Sequence, residues 1–126
     1  MSFGRMVKEL RIKQGKTLRQ FCLENGHDPS NWSKIEREVN TPPKNDEVLM
    51  QWAHQLGIEE GTDEWILFID EACIARKQIP QDLLSDHKIA EKLPVFFRTI
   101  RGTELTDESL DDFIEKVREL HRPDSD

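Results

Sequence analysis

Apolar positions recur at helical spacing along most of the chain. Phe3, Met6, Val7 and Leu10 fall at i, i+3, i+4 and i+7, which predicts a first helix over residues 2–14, stopped by Gly15. Leu18, Phe21 and Cys22 mark a short second helix. Thr17 is its N-cap, with Gln20 placed to complete a capping box, and Asn25-Gly26 ends it because both residues tolerate a left-handed backbone. Asp28-Pro29 opens a third helix, with Asp28 as N-cap and Pro29 at the first helical position, where no N–H is required. Residues 39–45, VNTPPKN, are expected to be loop. A fourth helix, from about Asp46 to Leu56, is expected to bury Val48, Leu49, Trp52, Ala53 and Leu56, with Gly57 closing it.

The same periodicity continues. Thr62 caps a helix from Asp63 to about Lys77, with Trp65, Ile66, Phe68, Ile69, Cys73 and Ile74 apolar. Residues 81–101 predict two short helices divided where Pro94 starts a new one, closed by Gly102. Thr106 caps a last helix over 107–121, whose stripe is Leu110, Phe113, Ile114, Val117 and Leu120. The tail His121–Asp126 should fray.

The third helix carries the candidate chemistry. At 100° per residue, Trp32 and Ile35 fall on one side and Ser30, Ser33, Lys34 and Arg37 on the other. One face suits packing. The other holds only hydroxyls and cations, a surface suited to base edges in the major groove of DNA.

The pattern FGRMVKELRIKQGKTLRQFC, then Gly26, WSKIER, PP and WAHQLGI resembles the helix-turn-helix of phage-repressor and Cro-type regulators, the XRE family, from about Phe3 to Ile58. The resemblance implies an all-α fold, a five-helix phage-repressor-like DNA-binding domain followed by a helical C-terminal extension. It implies that Arg11 and Glu36 form a largely buried ion pair, that Ser30 and Lys34 face base edges, and that Thr17 and Arg19 start the helix that sits on the phosphates. The wheel adds Ser33 and Arg37 to the expected base-facing set, and Lys16 and Lys44 are expected as further phosphate contacts. Three positions depart from the family pattern. His27 replaces a small aliphatic residue or Thr, Glu38 replaces the Gly after the E-R pair, and the loop Val39–Asn45 is about two residues longer. The expected domains are therefore residues 1–58, binding DNA, and residues 59–126, an acidic helical region for dimerisation or partner binding.

The net charge of −7 opposes nucleic-acid binding only if taken whole. Residues 1–57 carry nine Lys/Arg and seven Asp/Glu, whereas residues 58–126 carry nine and eighteen. Phosphate attraction acts over a Debye length of about 8 Å, so the local balance decides it. Of the first sixteen residues, Arg5, Lys8, Arg11, Lys13 and Lys16 face only Glu9.

Other chemistries find little support. Cys22 and Cys73 lie inside predicted helices, so a disulfide framework is not expected and a reducing cytoplasm fits. No signal peptide or membrane-length apolar run is evident. His27, His54, His87 and His121 make no ligand spacing with cysteine, so neither a metal nor a cofactor is expected. No nucleophile motif or glycine-rich phosphate loop is present, and catalysis is not expected. The sequence thus reads as a sequence-specific repressor binding a palindromic operator as a homodimer. Its final helix would supply the interface through Leu110, Phe113, Ile114 and Val117. The rival reading is the antidote of a toxin–antitoxin pair, or a repressor controlled by a peptidase, whose acidic half binds a protein.

Overall fold

The computed structural model describes residues 2–120, which form eight helices and no strand. They are α1 (Phe3–Lys13), α2 (Leu18–Asn25), α3 (Pro29–Glu36), α4 (Asp46–Gln55), α5 (Asp63–Ala75), α6 (Gln81–Leu84), α7 (His87–Ile100) and α8 (Asp107–Leu120). The expected all-α fold is observed. The predicted caps hold their helices by side-chain acceptance: Thr17 from Gln20 N, Asp28 from Asn31 N and Thr62 from Trp65 N; Asn45, expected only as loop, caps α4 by accepting from Glu47 N and Val48 N. One half of the predicted capping box is missing. Gln20 Nε2 donates to Glu24 Oε2 at 3.1 Å instead of reaching back to Thr17.

The chain divides into two compact units, residues 1–83 and 84–126. The first unit is built on α1, which packs on α3 and α5, while α2 packs on α3 and α4 on α5. Phe3, Met6, Val7, Phe21, Trp32, Leu49, Ile58 and Phe68 are all buried in one core. The boundary expected at residue 58 would cut off the fifth helix of this unit. Trp65, Phe68 and Ala72 of α5 belong to its core, and Phe68 lies 5.0 Å from Phe3 between ring centroids. Leu23, Ile66, Leu67 and Ile74 of this unit stay exposed.

The second unit contains α7 and α8. Pro94 does not start a new helix; α7 runs through it without a break. Asp86 already caps the helix at Lys88 N and Ile89 N, so helix formation begins well upstream. Pro94 forfeits one backbone bond, and its ring meets the carbonyl of Ala90. The apolar face of Ile89, Leu93, Phe96 and Ile100 continues across the proline, and its continuity offsets that local cost. Ser109 N donates to Thr106 Oγ1, so Thr106 opens α8 as expected. No side chain of this unit is buried among the described residues. The tail expected to fray lies outside them.

Candidate nucleic-acid interface

The bihelical unit α2–α3 depends on Gly26. Its φ of +72° turns the chain directly after α2, and Gly26 N and His27 N both donate to Cys22 O. The turn brings His27 over Trp32, with the rings stacked at 4.5 Å, while Trp52 meets the imidazole edge-on at 5.7 Å. The imidazole Nε2–H donates to Gln55 Oε1 at 2.5 Å. His27 thus replaces the usual aliphatic residue with a ring that ties the turn to α4. Phe21, Trp32 and Trp52 complete the aromatic cluster, with centroids 4.9 Å and 4.7 Å from Trp32.

α3 is fixed at its C-terminal end by three contacts. Arg11 donates to both Glu36 oxygens, from Nε at 2.7 Å and from Nη2 at 3.0 Å. The two side chains are only 9% and 5% exposed, so the pair is buried. Trp32 Nε1 adds a donor to Glu36 at 2.9 Å, and Arg11 Nη1 donates to Lys16 O at 2.8 Å. Every nitrogen of the Arg11 guanidinium and both oxygens of Glu36 thereby have a partner, which helps a buried ion pair to be tolerated. Hydrogen bonding to Glu36 raises the guanidinium pKa further, against the opposing effect of burial. The third contact is close backbone approach. A Cβ on Gly4 would lie 2.6 Å from Ile35 O and 2.7 Å from Glu36 O, so only glycine lets α1 pass there.

Glu38, in the position where the family pattern has glycine, adopts φ +63°. The left-handed turn is kept without the residue that makes it cheap. Val39 N and Asn40 N both donate to Lys34 O, closing the end of α3. Arg76 then ties the long loop to α5, with Nη1 donating to Pro43 O at 2.8 Å. No short-range pattern in the sequence signals the contribution of Arg76 or Gly4, because both act through contacts more than thirty residues away.

The four expected base-facing residues lie on α3 and its C-cap, opposite the buried Trp32 and Ile35. Ser30 and Arg37 are exposed, and Ser33 and Lys34 half-buried. Arg37 Nε donates to Ser33 Oγ at 3.1 Å, so these two already form one polar unit. Asn31, a further exposed amide at the start of the helix, was not singled out by the donor-and-cation pattern. Thr17, Arg19 and Lys44 are exposed. Lys16 is half-buried; its Nζ pairs with Glu24 Oε1 at 2.6 Å, and this contact holds the Glu24 carboxyl below the usual carboxylate range. Cys22 is fully buried and burial pushes its thiol up, as befits a core residue. No cluster able to hold a metal occurs among the described residues, and none of their helices is long and apolar enough to cross a membrane.

No match was found among curated proteins or among solved structures. The family model described as a helix-turn-helix domain matches residues 4–67, from the first turn of α1 into α5. That is just over half of the chain, and it contains the capped α2–turn–α3 unit and every contact that fixes α3. By this match and this geometry, the chain belongs to the helix-turn-helix domain family.

Proposed function

We propose that the protein is a sequence-specific transcription regulator of the XRE type, a repressor that acts by binding DNA rather than by catalysis. The observation that carries this reading is the outer face of α3. It offers Ser30, Lys34 and Arg37 on a two-turn helix whose inner face is locked by the Arg11–Glu36 pair and by Gly4. A rigid helix presenting donors and cations is what major-groove readout requires. Arg19 and Lys44 would add phosphate contacts at its margins. A single short recognition helix discriminates few bases. The protein therefore acts as a homodimer, placing two copies of α3 in successive major grooves about 34 Å apart. The acidic half carries the competing reading, an antidote for a basic toxin, and that reading predicts a basic protein that co-purifies with the chain.

Selection from random duplex DNA tests the proposal. A palindromic consensus with half-site centres about 10 base pairs apart is expected. Recovery of duplexes without any enriched sequence would refute sequence-specific recognition.

A further inference from the structure

Among its described residues the second unit is a pair of amphipathic helices with no buried side chain. On α7, at 100° per residue, Ile89, Leu93, Phe96 and Ile100 fall within an arc of about 60°. On α8, Leu110, Phe113, Ile114 and Val117 fall within about 100°. The two faces meet where Phe96 stacks against Phe113, at 6.2 Å between centroids. The contact covers little. Phe96 stays 42% exposed, Phe113 52%, Ile114 46% and Val117 47%. Two helices cannot hold such faces open in water without a further layer.

Charge identifies the occupant. α7 carries Lys88, Lys92 and Arg98 against Glu91 alone, whereas α8 carries six carboxylates against Lys116 and Arg118. Among the described residues no ion pair joins α7 to α8 within the chain; the pair in this unit is Arg118 with Glu115, inside α8. The helical wheels explain why. Lys88 and Lys92 flank the apolar face of α7 on one edge, and Asp107 and Asp111 flank that of α8 on the opposite-handed edge. Such edges stay apart when two helices fold back on each other. They come side by side when the helices run parallel, as in the edge pairing of a parallel coiled coil. The required partner is a helix that runs parallel to α7, is acidic on that edge at its N-terminal end, opposite Lys88 and Lys92, and has a complementary apolar face. A second copy of α8 has all three properties.

We propose that two copies of this chain dimerise through their second units, α7 of each packing parallel to α8 of the other in a four-helix bundle. A two-fold axis perpendicular to the helices gives this pairing twice. The seven exposed apolar side chains on the two faces leave about 500 Å² per chain and about 1,000 Å² per pair, at the level a specific interface must clear before its charged rim is counted. The proposal supplies the second copy that the DNA-binding reading calls for. It is tested without DNA, so a failure to dimerise and a failure to bind an operator are separate results.

Sedimentation equilibrium of the full chain at micromolar concentration should give a dimer, and Phe113→Asp with Val117→Asp a monomer. The decisive test uses two charge variants altered only at exposed positions. Lys88→Glu with Lys92→Glu makes both helices acidic along the contact edges, and Asp107→Lys with Asp111→Lys makes both basic. Each variant alone should be monomeric with an unchanged circular dichroism spectrum. Mixed, the two should form a 1:1 heterodimer, because both α7–α8 contacts are then matched. A monomeric wild type, variants that remain dimeric alone, or a mixture that stays monomeric would each overturn the proposal. A monomeric wild type that binds a basic protein would assign the surface to that partner instead.

Discussion

At the scale of single residues, the Arg11–Glu36 pair decides how well α3 is held. Both charges are buried and each relies on the other. Glu36→Gln keeps the shape but leaves Arg11 unpaired, so a loss of about 3–5 kcal/mol is expected in denaturant unfolding. Replacing both at once, Arg11→Met with Glu36→Leu, should cost less than the single change, since no buried charge is then left alone. Asp70 gives a prediction of opposite kind. Burial, and then the charge of Asp82, push its carboxyl above the usual carboxylate range. A carboxyl that holds its proton more tightly when folded contributes stability at low pH and loses it as pH rises through the folded value. Asp70→Asn should therefore raise the melting temperature at pH 7 and give no gain below about pH 3, where both states are protonated. The ion pair was legible in the sequence because it belongs to a distributed family pattern. Gly4, His27 and Arg76 were not legible as contacts. Each owes its importance to a neighbour brought close by folding: Ile35 O, Gln55 and Pro43 O.

At the scale of elements, the caps made the helices readable. Thr17, Asp28 and Thr62 each accept from the first-turn backbone of the helix they begin, and each signal is local. Two readings differed from the structure where a local signal competed with a longer one. Pro94 marks a helix start locally, but the cap at Asp86 and the apolar face of α7 run across it. A resemblance read only as far as Ile58 places a domain boundary there, yet the helix-turn-helix match reaches residue 67 and α5 carries Phe68 and Ala72 into the same core. Residues 1–83 expressed alone should accordingly unfold cooperatively by circular dichroism. Residues 1–58, stripped of Phe68 against Phe3, should melt far earlier or not fold. Equal stability of the two fragments would show that α5 is dispensable to the core.

At the scale of the whole molecule, positive charge is concentrated locally and not by unit: residues 1–83 carry eleven Lys/Arg against fourteen Asp/Glu, and residues 84–126 seven against eleven. The basic entry and the α3 face lie in the first unit, and the carboxylates of α8 in the second. Phosphate attraction is local at physiological salt, so a net charge of −7 is compatible with DNA binding by one part of the chain. The proposed reading of bases by α3 and holding of the backbone by residues beside it differ in salt dependence. Wild type, Lys34→Ala and Arg19→Ala should be titrated against the selected operator and a scrambled duplex from about 50 to 200 mM salt. Lys34→Ala is expected to lose about 1–3 kcal/mol on the operator and to narrow its preference over scrambled DNA correspondingly. Arg19→Ala should weaken both duplexes alike and reduce the salt slope by about 1. An unchanged preference of Lys34→Ala for the operator would contradict the assignment of α3 as the recognition helix.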